Sequence, residues 1–408
     1  VAEATVKRGC RSCGSDRLQQ VLDLGMQRLS DFRVVLGNEV PEVTSPLFPL
    51  RLLRCCDCGL VQLSETVPPS LLYHDRYSFK SGVSEAIVNN LRNIVNEALA
   101  WQGMGIRRWR WLDIASNDGT LLSFVPERFH REGIDPLSQF ANEARQHADR
   151  IIVDFFRPSY FDEPFDVITS ISMFYDLDDP NEFIAGVKSV LARKGIWIVQ
   201  QNYLLAMLGQ NSIDNVSHEH LAYYSLASFK ALLARHGLEI NRVTLEEING
   251  GCFRSVISRA GTYAVDPTVD AILEIEGTDD AATWEAFQWR TSGALDDLRT
   301  LVREINSKGE RVFVYGASTR GGTIWQAAGL DYRDLPFVVD RNPAKVGKYM
   351  TSIGAPIISE VRARHMKPEY MLVGPWWLKE QFVRREHDYL AAGGHLIIPL
   401  PQLEVVGG

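Results

Sequence analysis

Short apolar runs separated by helical stretches and small polar turns recur along two thirds of the chain. Trp109–Ile114 reads as a buried strand, "ASNDGT" as a turn, and Leu121 onward as a helix. "REGIDP", "RIIVDFF", "FDVITSISMF" and "KGIWIVQQNY" supply four more strands, the first three ending near Asp135, Asp154 and Ser170. Strand, turn and helix in that alternation predict an α/β doubly wound sheet, with ligands at the carboxyl ends of the strands. A second run of the same kind starts at "RVFVYG", continues through "ASTRGG" and the helical "TIWQAAGL", and returns in "LPFVVDRN", "EYMLVGPWW" and "HLIIPLP". Ahead of both, "PLFPLRLLR" predicts a β-rich segment. The pattern divides the chain into modules at 1–68, 69–240 and 241–408, with no internal repeat or low-complexity tract.

Composition narrows the class. With 45% hydrophobic and 23% charged residues the chain of 408 is that of a globular protein. A net charge of −8 gives no electrostatic footprint for nucleic acid. No apolar run approaches the ~18 residues that span a bilayer. The N-terminus, "VAEATVKRGCRSCG", lacks a basic segment followed by an apolar one, so a cytoplasmic location is expected. The partner expected is a small molecule, acting on a monomer or homodimer.

Five of the six cysteines fall in the first 58 residues. "GCRSCGS" and "RCCDCGL" each hold a Cys-x-x-Cys followed by glycine, which lets the chain turn tightly around a thiolate. Cys10, Cys13, Cys55 and Cys58 together make the tetrahedral four-sulfur shell that structural zinc prefers. Such a closed shell leaves no open position for chemistry. The 41 residues between the knuckles exceed the gap of a short zinc ribbon, and unrelated buried cysteines are the alternative. Cys56 and Cys252 are spare.

In "LDIASNDGT" the small residues let backbone approach a ligand, and Asn117 and Asp118 can bond its polar groups. Asp135 lies 22 residues after Asp113, where a carboxylate can accept both ribose hydroxyls of an adenosine. A dinucleotide would favour G-x-G-x-x-G, which is absent, but a sugar-nucleotide or NAD site stays open on these residues alone. The order resembles class I S-adenosylmethionine (SAM) methyltransferases, with Ala115 at the first glycine of the usual D-x-G-x-x-x-G. That resemblance implies SAM contacts from Asp113, Ala115, Ser116, Asn117, Asp118, Gly119, Asp135, Pro136, Asp154 and Ser170.

Two knuckles, "DIASNDGTLL", "HEHLAYYSL", "NGGCFR", "YGASTRGGT" and "DRNPAKVGK" occur in that order. Together they resemble the zinc-containing sugar C-methyltransferases, the family of the tetronitrose, mycarose and novobiocin-sugar enzymes, from about Cys10 to Leu403. The resemblance implies a zinc-binding domain, a central SAM methyltransferase domain and a C-terminal Rossmann-like domain. It implies removal of a proton next to a ketone on a nucleotide-linked deoxysugar, then methylation of that carbon, in natural-product or surface-glycan biosynthesis.

Such a proton is weakly acidic, so a base and a donor to the enolate oxygen are both needed. The family's Glu-His pair falls on Glu219 and His220, making His220 the base and Glu219 a carboxylate that orients the ring. His218 faces elsewhere in an extended segment. A metal site is the weaker reading of the triplet, since no H-E-x-x-H or third ligand is present, and a purely local structural role is another. Tyr77 lies in the strip where the family carries an active-site tyrosine. Asn202, Tyr224, Asn249 and Arg254 are assigned to substrate, Arg254 toward a diphosphate or into an ordinary salt bridge. Gly316, Gly321 and Gly322 allow close approach at a helix N-terminus, which assigns Ser318, Thr319 and Arg320 to the substrate's phosphate. A structural helper role for that domain stays open.

Two positions depart from the family pattern. Ser217 replaces a tyrosine two residues before the glutamate, and Asp176 stands where a histidine is common. An ionised aspartate cannot donate to an enolate, so either the substrate differs or another residue donates. Methylation of another carbon acid or of a hydroxyl is the alternative reaction, and a non-catalytic SAM- or nucleotide-sugar-binding protein the alternative class.

Overall fold

A computed structural model describes residues 4–34, 46–73, 79–101, 108–276 and 281–407. The N-terminal strands β1 (Leu18–Arg28), β2 (Phe32–Val34), β3 (Leu47–Cys55) and β4 (Val61–Leu63) carry the two knuckles at their ends. The central sheet takes β5 (Arg110–Ile114), β6 (His130–Ile134), β7 (Arg150–Ile152), β8 (Phe165–Ile171) and β9 (Leu191–Asn202), all parallel, in the order β9-β8-β5-β6-β7. Strand β10 (Ala222–Tyr223) leaves this module and pairs antiparallel with β4, closing the zinc-domain sheet as β10-β4-β3-β1.

Strands β11 (Leu238–Glu246) and β12 (Cys252–Arg259) then extend the central sheet antiparallel beyond β9. The break placed at 240 therefore falls inside a strand, and the central sheet runs to Arg259. The sequence misleads there because a β-hairpin added to a parallel sheet has no helix to mark its membership.

Helix α1 (Glu85–Ala100) buries Asn90, Leu91, Ile94, Val95 and Ala98, one stripe at helical spacing, on the face that carries Trp111, Val167 and Ile198. Leu121 onward does not become a helix. Only a single turn, Leu122–Phe124, forms, because Pro126 holds Val125 extended (ψ 126°) and cannot donate to a continuing ladder. On the opposite face, Phe174, Trp197, Tyr224 and Phe229 pack with Cys10, Cys55 and Leu60, so the cysteine knuckles sit directly on the core of the central module.

The C-terminal module begins with helix α2 (Ala281–Ser307), then β13 (Val312–Tyr315), α3 (Thr319–Ala327) and β14 (Val338–Asp340), followed by β15 (Lys348–Met350), β16 (Ala355–Ser359), β17 (Tyr370–Val373), β18 (His395–Ile398) and β19 (Glu404–Val406). Its sheet order is β19-β18-β17-β13-β14-β16-β15-β2. The last strand comes from the zinc domain, so the first and third modules share one sheet.

The turn after β5 shows why small residues stand there. Gly119 has φ 79°, and a Cβ on it would lie 2.7 Å from the Ala144 Cα. Ala115 also adopts a left-handed conformation, φ 61°, which costs an L-residue roughly 1–2 kcal/mol. Glycine would relieve that strain at an entropic cost of about 0.5–1 kcal/mol. Ala115→Gly is therefore expected to leave stability unchanged or raise it by up to ~1 kcal/mol in urea unfolding, where a buried alanine elsewhere in this core would lose stability on the same change.

Candidate functional site

The zinc cluster forms first in the chain. The sulfurs of Cys10, Cys13, Cys55 and Cys58 all lie within 4.8 Å of one another, with Cys10–Cys58 at 3.5 Å and Cys13–Cys55 at 3.6 Å. A tetrahedron of Zn–S bonds near 2.3 Å requires sulfurs about 3.8 Å apart, so these four residues fit the ion. Gly14 and Gly59, at φ 79° and 71°, make the turns that return their amides to the carbonyls of Cys10 and Cys55. The loop between Cys10 and Cys13 is then gripped by the central module. Asn181 Nδ2 donates to the Arg11 and Ser12 carbonyls, and Arg235 donates to the Ser12 carbonyl and hydroxyl.

A cavity at the carboxyl ends of β5 and β8 is lined by Asp113, Ala115, Ser116, Ser172 and Asn249. Ser116 Oγ is buried in it with no partner among the described residues, and Asp113 is pushed up to about 7, chiefly by burial. Beside it, Asp135 accepts from the amides of Asn117 and Leu137, one on each oxygen, which leaves each oxygen able to accept again. Asn117 and Asp118 accept from the amides of Ser81 and Gly82, so residues 79–82 lie across the turn. An acidic pocket with an unsatisfied hydroxyl fits a cationic adenosyl cofactor.

The His-Glu-His segment is folded by a short loop. His220 Nδ1 lies 2.7 Å from the Asn215 carbonyl, which can only accept, so Nδ1 carries the proton and Nε2 presents its lone pair. The Tyr175 ring packs edge-on against the imidazole at 4.5 Å. Burial, with the Arg320 guanidinium nearby, pushes His220 down to about 4, so the ring is neutral at physiological pH. The orienting group is thus a backbone carbonyl. Glu219 has no hydrogen bond to the ring, and burial beside Asp31 pushes it up to about 7. His218 turns the other way because the chain is not extended here: residues 217–220 make a turn closed by the His220 amide on the Ser217 carbonyl. It packs edge-on to Phe48 and lies 3.4 Å from the Phe48 carbonyl in the zinc domain.

Arg320, at the start of α3, reaches into the same region. It donates to the Asn249 carbonyl at 2.7 Å, pairs with the buried Asp214 at 2.7 Å and stacks over Trp377. Asn249, with φ 56°, lines the acidic cavity, so Arg320 joins the cofactor pocket to the histidine segment.

Three family models match the chain: "Putative zinc binding domain" over residues 10–73, "Methyltransferase domain" over 83–243 and "C-methyltransferase C-terminal domain" over 247–401. The C-methyltransferase NovU of Streptomyces niveus is 28% identical over 412 residues, covering 97% of this chain and 96% of NovU. Matched in this order over nearly its whole length, the chain is similar to the zinc-containing C-methyltransferases. Similar solved structures include a magnesium protoporphyrin IX methyltransferase from Synechocystis PCC 6803 with bound SAM, at 11% identity, TM-score 0.34, over 42% of this chain and 79% of that one. Another is the mitomycin 7-O-methyltransferase MmcR, at 19% identity, TM-score 0.35, over 47% and 57%.

As a SAM-dependent C-methyltransferase with a structural zinc, the enzyme places several residues differently from the sequence pattern. Tyr77 lies outside the described residues. Arg254 is only 4% exposed, and its guanidinium is committed to Gln200, Glu97, Asn90 and Glu246, so it presents no free face to a diphosphate. Tyr224 packs beneath the zinc knuckles against Phe174 and Phe229. Ser170 is fully buried and accepts from the Trp197 indole, while Ser172, two residues on, lines the cavity. Asp154 accepts from the Tyr160 hydroxyl, and Pro136, half-buried, lies two residues past the end of β6. Asn202 Nδ2 donates to Asn215 Oδ1, steadying the loop that holds His220. Ser318 caps α3 by accepting from Gly321, with Thr319 as the first helical residue. Two residues carried no sequence signal. Tyr73 bonds Asp176, and Asp31 arrives from the zinc domain beside Glu219.

Purified enzyme should carry about one zinc per chain by elemental analysis. Cys58→Ser should lower that content and lower the melting temperature, whereas Cys252→Ser should leave the content unchanged. His218, held near 4 by burial, gives a pH prediction. The unfolded chain protonates this ring near 6.5 while the folded one resists, so stability is lost as pH falls from about 6.5 toward 4. His218→Gln should shrink the stability difference between about pH 7 and pH 5 by on the order of 1–2 kcal/mol in urea titrations at the two pH values.

Proposed function

We propose that the enzyme removes a proton from the carbon next to a ketone on a nucleotide-linked deoxysugar and methylates that carbon. The observation that carries this reading is the state of His220. Desolvation favours its neutral form, its Nδ1 proton is spent on the Asn215 carbonyl, and Nε2 meets no hydrogen-bond partner among the described residues. A base held in one tautomer within a recess beside the cofactor pocket suits abstraction from carbon. SAM, when bound, supplies the electrophilic methyl group. Asp113, Asp135 and Ser116 would hold it at the strand ends. Arg320 and Asn249 stand between that pocket and the base, where they orient substrate.

The nucleotide half of such a substrate finds support in the C-terminal module. A second cavity opens at the ends of β13, β14 and β17, lined by Gly316, Asp340, Arg341, Pro375, Arg384 and Arg385. Asp340 accepts from the Ala317 amide, the arrangement of a Rossmann turn. Arg341 and Arg384 are exposed at its edge and suit a diphosphate. Arg385 is committed to Tyr315, Glu360 and Glu386. NovU, similar over nearly the whole length and named as a C-methyltransferase, supports carbon rather than oxygen as the acceptor. Participation in antibiotic or surface-glycan assembly follows from that substrate class, and a monomer or homodimer in the cytoplasm suffices for it.

The test separates deprotonation from methyl transfer. A TDP-linked 4-keto-6-deoxyhexose is incubated with enzyme in deuterated water, and deuterium gain at the carbon beside the ketone is followed by mass spectrometry. Wild type should exchange, and His220→Asn should slow exchange by about 10²–10⁴ while SAM still binds by calorimetry. Glu219→Gln should slow it less, because that carboxyl does not hold the ring. Methylation of an oxygen with no exchange at carbon would contradict the reading.

A further inference from the structure

Asp176 closes the turn after β8, next to the Tyr175 ring that packs on His220. Its Oδ1 is buried and meets no partner among the described residues, while the carboxyl takes a hydrogen bond from the Tyr73 hydroxyl. The charged group facing it is Glu219, which itself lies beside Asp31. Among the described residues, the phenols of Tyr73, Tyr175 and Tyr223 also lie around it. Arg320 is turned toward Asp214 and His220, and no ion pair to Asp176 forms among the described residues. Two half-buried, desolvated carboxyls facing each other, with no cation paired to Asp176 among the described residues, resist ionising together. One of them keeps a proton, as in other sites where a carboxyl is held neutral so that it can donate.

We infer that Asp176 is the acid that donates its proton to the substrate's enolate oxygen, and that Tyr73 is the positioning residue that aims its carboxyl. This rests on the carbon-acid reading above. Asp176 is the better placed of the two to keep the proton, because its Oδ1 is sealed without a partner among the described residues; burial and the opposing Glu219 raise it well above the usual carboxylate range. The objection that an ionised aspartate cannot donate is thereby removed.

The step balances. His220 Nε2 takes the proton from carbon, the C–H pair becomes the C=C bond, and the carbonyl pair moves to oxygen, which takes the Asp176 proton. The methyl group would come from the sulfonium of bound SAM, whose C–S pair stays on sulfur to leave S-adenosylhomocysteine; as the C=C pair forms the new C–C bond, the C=O bond re-forms and the oxygen returns its proton to Asp176. His220 releases its proton to solvent. The net change is one C–H replaced by C–CH3 with one proton released.

Two readouts test this. The first needs no substrate: the infrared carbonyl stretch of a protonated carboxyl, compared between wild type and Asp176→Asn at about pH 6. A protonated band present in wild type and missing in the variant supports the inference, and its absence in wild type overturns it. The second is the deuterium exchange with the TDP-linked 4-keto-6-deoxyhexose, with S-adenosylhomocysteine present, followed across pH. Asp176→Ala should lose about 10²–10³ in exchange rate, the usual cost of one oxyanion donor. Asp176→Asn, which still donates, should stay within about tenfold of wild type and lose the alkaline limb. Tyr73→Phe should move that limb to higher pH, because the phenol's hydrogen bond favours the ionised carboxyl. Wild-type exchange in Asp176→Ala overturns the inference, as does an Asp176→Asn enzyme as slow as the alanine variant. If the infrared band is present but wild type exchanges no deuterium, the carbon-acid reading fails and the donor role falls with it.

Discussion

The structure depends on how residues 211–223 are held. This segment presents Glu219 and His220, yet it contains little regular structure of its own. Ordering a loop residue costs roughly 1–2 kcal/mol of backbone entropy, so such a segment needs anchors along its length. All three modules supply them. Thr291 of α2 donates to Asn211, Arg320 pairs with Asp214, Asn202 of β9 holds Asn215, and Thr323 of α3 donates to the Val216 carbonyl. The zinc domain takes the far end, where the Leu63 amide donates to the Leu221 carbonyl and Ala222 pairs with Gln62. The Gln62 side chain in turn accepts from the Arg11 amide and donates to the Gly9 carbonyl, on either side of Cys10. The four-cysteine cluster thereby fixes the strand beginning two residues after His220.

Opposite electrostatic demands meet within that clamp. A base that works on a carbon acid must be unprotonated, and burial without a carboxylate partner gives a neutral imidazole. The same burial acts in reverse on the neighbouring acids, keeping protons on groups that would ionise in water. The same desolvation therefore favours the neutral form of His220 and the protonated forms of Asp176 and Glu219. A salt bridge from Glu219 to His220 would cancel both effects, and its absence is what gives the pair opposite tendencies.

Much of the architecture was legible because it is local. Both Cys-x-x-Cys-Gly knuckles, the five parallel strands and the strand–turn–helix units announce themselves through short spacings and apolar runs. What could not be read is what depends on distance in the chain. The carbonyl that orients His220 belongs to a backbone that has no sequence signature. Asp31 lies 188 residues before Glu219, and only the fold brings it near. Arg254 has the right charge for a phosphate, but three elements converge to neutralise it, which its "NGGCFR" surroundings do not reveal. Tyr224 reads as a site residue by proximity to the histidines, whereas strand alternation sends it inward toward the zinc cluster. The Leu121 helix failed for a local reason that was present in the sequence, Pro126.

The state of the imidazole is the point on which the account turns, and it can be observed without substrate. Nitrogen-15 NMR of selectively labelled histidine, with the His220 resonance assigned by His220→Asn, reports both protonation and tautomer. At about pH 6 the account predicts a neutral ring with its proton on Nδ1 and a bare Nε2. A charged ring, or a neutral one with its proton on Nε2, would contradict it.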